Sequence, residues 1–290
     1  MNKNGNAMSV YIGRFFIFLV LFMMLFLTCV IIFFISLNTV IMKKGDFSND
    51  FAVQPISERN VISVNLPLDD YVEETEDELN YLTDLSAYDK YINPENRDEY
   101  LVLINVANPL DPTYIPTDLL DVVDTRQDGR ATQKLREYAA KALEALLIEA
   151  RANGFNDITV TSAYRSYDYQ TTLYNQRVAM YPTLSLEDAK AKAATIVAIP
   201  GTSEHQSGLC LDMHNIGSAD VSFANTKQAQ WLAENSYKFG YILRFPEDKI
   251  EITGISFEPW HFRYVGRYHA AQMYELGLCF EEYMDYLGGS

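Results

Sequence analysis

Four histidines serve the whole chain of 290 residues. Two of them, His205 and His214, fall in one stretch, "GTSEHQSGLCLDMH" (201–214), with Asp212 between them. Downstream, "EPWHFR" sets Glu258 three residues before His261. These residue types suit a catalytic zinc, which takes three protein ligands from His, Asp or Glu and keeps a further position open for water. His205, Asp212 and His261 would supply two imidazoles and a carboxylate, leaving Glu258 free. A carboxylate beside such a site accepts the proton of attacking water and hands it to the leaving amine, while the ion lowers the water pKa towards ~7. Spacing alone leaves a second reading open, an ordinary loop leading into a core strand, because HxxxxxxD and ExxH each recur by chance. His214 and His269 have no such partners and read as structural or exposed. Glu204 adjoins His205 in what reads as an extended segment, so the two side chains point to opposite faces. Glu204 is therefore expected to be solvated or to stand behind the ligands.

Several elements must position these residues. "YLVLINV" (100–106) reads as a strand from its branched and apolar content, and "NPLDPTYIP" as an irregular segment. Leu135, Tyr138, Ala139, Ala142, Leu143, Leu146 and Leu147 recur at three- and four-residue spacing, which predicts an amphipathic helix over 132–153. Gly154 sits where a helix stop is expected. "DITVTSAY" alternates as a strand, and helices are expected over 167–181 and 185–198, the latter opened by Ser185 with Asp188 as a capping box. The small, apolar run 209–211 should carry Asp212 into place on a rigid strand, with glycines keeping the loop around His205 compact. A helix over 226–239, the strand-like "YILRF" and "KIEITGISFEPWHFRYVG", and short C-terminal helices complete the pattern. Helices and strands mix without regular βαβ alternation, so the fold class is α+β.

The formal net charge of −16 argues against a nucleic-acid partner, since phosphate binding needs a basic surface. Cys29, Cys210 and Cys279 form no CxxC and read as buried free thiols, with a Cys210–Cys279 bridge as the less favoured reading. Residues 15–37, "FFIFLVLFMMLFLTCVIIFFISL", carry no charge. That run is long enough to cross a bilayer core of about 30 Å, and it exceeds the apolar region of a cleaved signal peptide. The expected organisation is a tail (1–14), a transmembrane helix (15–37), an acidic stalk (38–97) centred on "DDYVEETEDELNYL", and a domain from 98 to 290. Lysines and arginine flank both ends of the span almost equally, so charge does not settle its orientation.

Four motifs occur in order: "SAYRSYDYQ", "PGTSEHQSGLCLDM", "GYILRFP" and "EPWHFRYVG". Together they resemble the VanY-type D-alanyl-D-alanine carboxypeptidases, zinc peptidases of the bacterial cell wall that share a fold with the hedgehog signalling domain. The resemblance runs from about Glu99 to Leu287. The family pattern S-x-H-x-x-G-x-x-x-D followed by E-x-x-H falls on Ser203, His205, Gly208, Asp212, Glu258 and His261. It implies zinc on His205, Asp212 and His261, with Glu258 as general base. It places Arg165 at the site, steadying an oxyanion or the substrate carboxylate, and makes Ser203 and Gln170 candidate substrate hydrogen-bonders. Two departures are visible: Cys210 stands where a small residue such as alanine is usual, and "LINVAN" replaces a more usual "NK" pairing. The implied reaction is that of the serine-type D-Ala-D-Ala carboxypeptidases, run by a metal mechanism on peptidoglycan stem peptides. Such a substrate puts the domain outside the cytoplasmic membrane and the N-terminus inside. Two other readings are an L,D-carboxypeptidase acting on tetrapeptide stems and a non-catalytic, zinc-containing wall-binding module.

Overall fold

The structure, a computed structural model, describes residues 79–288. The expected tail, the transmembrane span and most of the stalk lie outside these residues; among those described, no helix is long and apolar enough to cross a membrane. The stalk was expected to reach residue 97, but 79–97 packs on the domain. Leu79, Leu85 and Ile92 are buried, the last at the end of helix α1 (Asp89–Ile92). The cause is a carboxylate that the sequence alone does not mark. Glu149, itself buried, accepts the backbone N–H groups of Leu82 (2.7 Å) and Thr83 (3.1 Å) and the Thr83 hydroxyl (2.6 Å).

Residues 100–106 form no strand. The Arg263 side chain donates to the carbonyls of Tyr100 (3.1 Å) and Val102 (2.8 Å), groups that a neighbouring strand would otherwise satisfy. Strands β1 (Leu119–Asp121) and β2 (Lys134–Arg136) pair antiparallel, with Leu120 opposite Leu135. That pairing takes the first residues of the expected long helix, so α2 runs Glu137–Ala152. Its apolar stripe (Ala139, Ala142, Leu143, Leu146, Leu147, Ala150) is buried in the main core.

The second sheet is antiparallel throughout, ordered β3 (Thr159–Ser162), β4 (Cys210–His214), β6 (His261–Tyr264) and β5 (Tyr241–Leu243). Side chains alternate between its faces. Leu211 and Met213 on β4, with Phe262 and Tyr264 on β6, join α2 in the core. Cys210, Asp212, His261 and Arg263 share the other face. Helices α3 (Tyr167–Ala179) and α4 (Leu186–Ala194) precede β4; Ser185 caps α4, its hydroxyl accepting the Asp188 N–H at 3.1 Å. Helix α5 (Lys227–Asn235) ends four residues before Phe239, the tail of its expected range being a 3-10 turn. The strand-like stretch before "EPWHFR" instead holds a short helix, α6 (Ile250–Thr253). Helices α7 (Arg267–Leu276) and α8 (Phe280–Tyr286) close the chain over a second small core around Ile242, Val265 and Phe280. The architecture is mixed α and β around a four-stranded antiparallel sheet, as the class expected from the sequence requires.

Candidate active site

Strand register brings the first two ligand candidates together. Asp212 on β4 lies opposite His261 on β6, and Cys210 lies opposite Arg263. His205 arrives from a 3-10 turn, Glu204–Ser207, which stops at Gly208. Gly208 adopts φ +68°, and a Cβ there would meet Leu119 at 3.0 Å and Arg136 at 3.2 Å. The left-handed backbone favours glycine at this position, and the close side chains add to the preference. The compact loop expected around His205 is therefore present, and Asp212 sits mid-strand with its whole element buried.

One carboxylate oxygen lies near both imidazoles. Asp212 Oδ1 lies 3.1 Å from His261 Nδ1 and 3.5 Å from His205 Nε2. The other nitrogen of His205, Nδ1, is 2.6 Å from the Ala163 carbonyl, which fixes that ring with Nε2 inward. Burial alone would depress both imidazole pKa values, as would the Arg165 charge at His205. Cys210 and Asp212 outweigh this, holding His205 above and His261 well above the ordinary histidine range. Asp212 is held well below the carboxylate range, the imidazoles overcoming its burial. A buried pocket that draws positive charge onto two imidazoles suits a divalent cation, and two nitrogens with one carboxylate oxygen are the donor set of a catalytic zinc. The residues present therefore fit the ion.

Glu258 follows a turn whose geometry is fixed by two backbone bonds: its N–H donates to the Phe245 carbonyl, and the His261 N–H donates back to its own carbonyl. The carboxylate Oε2 stands 3.7 Å from His261 Nδ1, the same nitrogen that faces Asp212. Burial, reinforced by Asp212, pushes Glu258 above the usual glutamate range against the pull of the histidines and Arg165. Arg165 Nη2 donates to Asp212 Oδ2 at 3.2 Å, which leaves Oδ1 for the pocket. Its remaining contacts are Ser162 Oγ and Gln170 Oε1, each at 3.0 Å. A guanidinium has more N–H donors than these three contacts use.

One expectation is corrected here. Gln170 is not placed to bind substrate: it is 1% exposed, its oxygen accepts from Arg165 and its amide donates to the Ala198 carbonyl at 2.7 Å. It aims Arg165 instead. Ser203 is buried ahead of the His205 turn, and its hydroxyl has no hydrogen bond among the described residues.

Of the two places expected for Glu204, solvated or behind the ligands, the structure shows the second. Glu204 is not solvated: it lies in the turn rather than an extended segment, is 4% exposed, and pairs with Arg244 (2.8 Å) and Arg263 (3.2 Å). Burial alone would raise its pKa; the two guanidinium groups hold it far below the glutamate range. The sulfur of Cys210 lies within 4.8 Å of a nitrogen of both His205 and His261. Those imidazoles pull its pKa down to about 7 against the effect of burial. Cys210 thus offers an alternative third donor to Asp212. Asp212 Oδ1 faces the same His261 nitrogen as Glu258, while Arg165 occupies its Oδ2. Strand alternation was the available signal for Cys210, two residues before Asp212 and hence on the same face. Cys210 and Cys279 are both free thiols. His214 and His269 are both buried and structural: His214 meets the Arg126 guanidinium, and His269 bridges Asp98 and the Tyr283 hydroxyl.

The described architecture has relatives. A family model described as VanY, D-alanyl-D-alanine carboxypeptidase, matches residues 132–267. A protein of Enterococcus faecalis named D-alanyl-D-alanine carboxypeptidase is 40% identical over 187 residues, or 64% of this chain and 65% of that one. The chain thus spans somewhat less than two thirds of that relative. Among solved structures, a variant of the vancomycin-resistance D,D-pentapeptidase VanY from the VanB-type cassette, in complex with Zn(II), is 40% identical. Its match has a TM-score of 0.54 and covers 64% of this chain and 98% of that one. The LD-carboxypeptidase LdcB, whose structure concerns peptidoglycan recognition, gives a TM-score of 0.59 at 33% identity, over 66% of this chain and 88% of that one.

Proposed function

The chain belongs to the VanY family of D-alanyl-D-alanine carboxypeptidases, and from that premise we propose that it removes the C-terminal D-alanine from peptidoglycan stem peptides, using zinc held by His205, Asp212 and His261. One observation carries the reading: Asp212 Oδ1 faces both imidazoles while the Glu258 carboxylate stands beside the same His261 nitrogen. A purely structural metal site has no need of a neighbouring base, so this arrangement also counts against a non-catalytic wall-binding module. The ion, when bound, supplies Lewis acidity, making a water acidic near neutral pH and polarising a carbonyl.

The protein groups do the rest. Glu258 takes the proton of the attacking water and returns it to the leaving amine. Arg165 steadies Asp212 and has N–H groups to spare for the free carboxylate of the substrate, for which a planar fork is suited. Ser203 supplies a hydroxyl near the His205 turn. The similarity to LdcB keeps one alternative in play, L,D cleavage of a tetrapeptide stem. Incubating the purified protein with a pentapeptide ending in D-Ala-D-Ala, the matching tetrapeptide and the pentapeptide C-terminal amide, then weighing the products, separates these readings. The pentapeptide is expected to lose D-alanine fastest. Amidation should lower kcat/KM by at least ~10-fold, since hydrogen bonds to charged groups are worth ~1.5–3 kcal/mol. Faster loss from the tetrapeptide would overturn the D,D assignment, and equal cleavage of the amide would remove Arg165 from carboxylate recognition.

The uncharged run 15–37 supports a membrane anchor ahead of this domain. Stem peptides lie outside the cytoplasmic membrane, so the anchor runs N-terminus in, with an acidic connecting segment on the outer side. A reporter active only outside the cytoplasm, fused after Ser290, is expected to be active. Protease added to wall-stripped cells should then remove the domain; full protection in cells with intact membranes would mean the reverse orientation.

A further inference from the structure

We propose that Glu204 is the positioning residue for His261, fixing through a hydrogen bond at Nε2 the tautomer that leaves Nδ1 facing the metal site. The inference rests on the zinc reading above and concerns a residue that reading does not use. Two buried polar atoms of the described residues that lack a hydrogen-bond partner face each other: Glu204 Oε2 and His261 Nε2, 3.7 Å apart. That gap is a small side-chain adjustment from hydrogen-bond distance. Leaving both atoms unpaired would be costly at this depth.

The two histidines use opposite nitrogens. His205 presents Nε2 to Asp212 and has Nδ1 fixed by the Ala163 carbonyl. His261 presents Nδ1 to Asp212, so its Nε2 must carry the proton and needs an acceptor. Glu204 Oε2, at 3.7 Å and without another partner, is a carboxylate oxygen placed to accept it. A metal-ligating imidazole is characteristically held this way, and a carboxylate partner makes the ligand more basic than a neutral one would.

Glu204 can stay charged at this depth because of what surrounds it. Its Oε1 faces Arg244 Nε at 2.8 Å and Arg263 Nη1 at 3.2 Å. Arg244 in turn grips Glu281 with both terminal nitrogens, at 2.8 and 2.6 Å. Two arginines thus balance two glutamates. All of the pairing falls on Oε1, and Oε2 is left for His261. Pairing with the arginines alone would not require a second carboxylate oxygen aimed at a ligand ring. Arg263 comes from the same strand and face as His261, and Arg244 follows β5, where its backbone N–H bonds the His261 carbonyl. The ring and its counter-charge are therefore carried by the same sheet.

The test uses the full-length protein with histidines labelled in nitrogen-15. In the zinc-loaded wild type, His261 should show a protonated Nε2 with a downfield, slowly exchanging proton. Glu204→Gln should shift that proton upfield and weaken zinc affinity, measured by chelator competition, by ~10–100-fold. Glu281→Gln breaks the far end of the same charge cluster without touching His261, and should leave both zinc affinity and the Nε2 resonance unchanged. Equal zinc affinity in Glu204→Gln and wild type would overturn the proposal, as would an equal loss in Glu281→Gln, which would mark the effect as general destabilisation. Should Glu204→Gln fail to fold, the wild type decides alone: a zinc-loaded His261 protonated at Nδ1 overturns the proposal, and one protonated at Nε2 with a slowly exchanging proton supports it. A wild type that binds no zinc would instead bring down the functional reading on which the proposal rests.

Discussion

Glu258→Gln is expected to keep its zinc and its fold and to lose ~10²–10⁴-fold in kcat, the range that general acid–base groups contribute. The substitution preserves shape and removes only the capacity to accept a proton. Its effect on metal content should be small, because Glu258 reaches no closer than 3.7 Å to His261 Nδ1, whereas Asp212 lies at 3.1 Å. The backbone around it should hold as well, since the bonds from its N–H to Phe245 and from His261 N–H to its carbonyl involve no side-chain atom. Turnover and zinc content must be read on the same sample. Near-normal turnover would end the general-base assignment. Loss of zinc with loss of turnover would instead make Glu258 a ligand.

Much of this site was legible from residue type and order. Histidine is scarce in the chain, so His205 and His261 stand out. Each comes with a carboxylate at short range, and ordered motifs supply the rest. The strand that carries Asp212 was legible too, because a small, apolar run ahead of a lone acid points to burial. What escaped were roles set by contacts across long stretches of chain. Glu204 looked ambiguous beside His205 because its partners, Arg244 and Arg263, lie 40 and 59 positions away. Gln170 looked like a substrate contact because it follows the "YRS" motif; only the fold shows that both its polar ends are already used. The segment 100–106 has the composition of a strand but no strand beside it, since a guanidinium takes its carbonyls. The acidic stretch before residue 98 read as a spacer because charge was visible and the receiving Glu149 was not. For the last two segments local propensity was overruled by a buried charged side chain that organises distant backbone.

The second large effect concerns the metal and decides between two donor sets built on the same imidazoles. His205→Ala, Asp212→Ala and His261→Ala should each weaken zinc binding by more than the ~10–100-fold typical of losing a partner outside the ligand set. For the histidines this holds whichever third donor is used, because both lie in either set. Asp212 is the informative position. If zinc sits on His205 Nε2, Asp212 Oδ1 and His261 Nδ1, then Asp212→Ala removes a charged ligand and also strands Arg165, whose Nη2 loses its carboxylate partner. Cys210→Ala should then retain zinc, since it removes a sulfur outside that set and makes a modest change in a buried strand. If instead the ion sits on His205, Cys210 and His261, the pattern inverts, with Cys210→Ala losing zinc and Asp212→Ala keeping most of it. Replacing zinc with cobalt gives a second reading, because a thiolate ligand adds a charge-transfer band that imidazole and carboxylate do not. The Asp212 assignment predicts no such band and full zinc in Cys210→Ala. Zinc retained in Asp212→Ala, with a thiolate band in the cobalt form, would move the metal to the sulfur and end the Asp212 assignment.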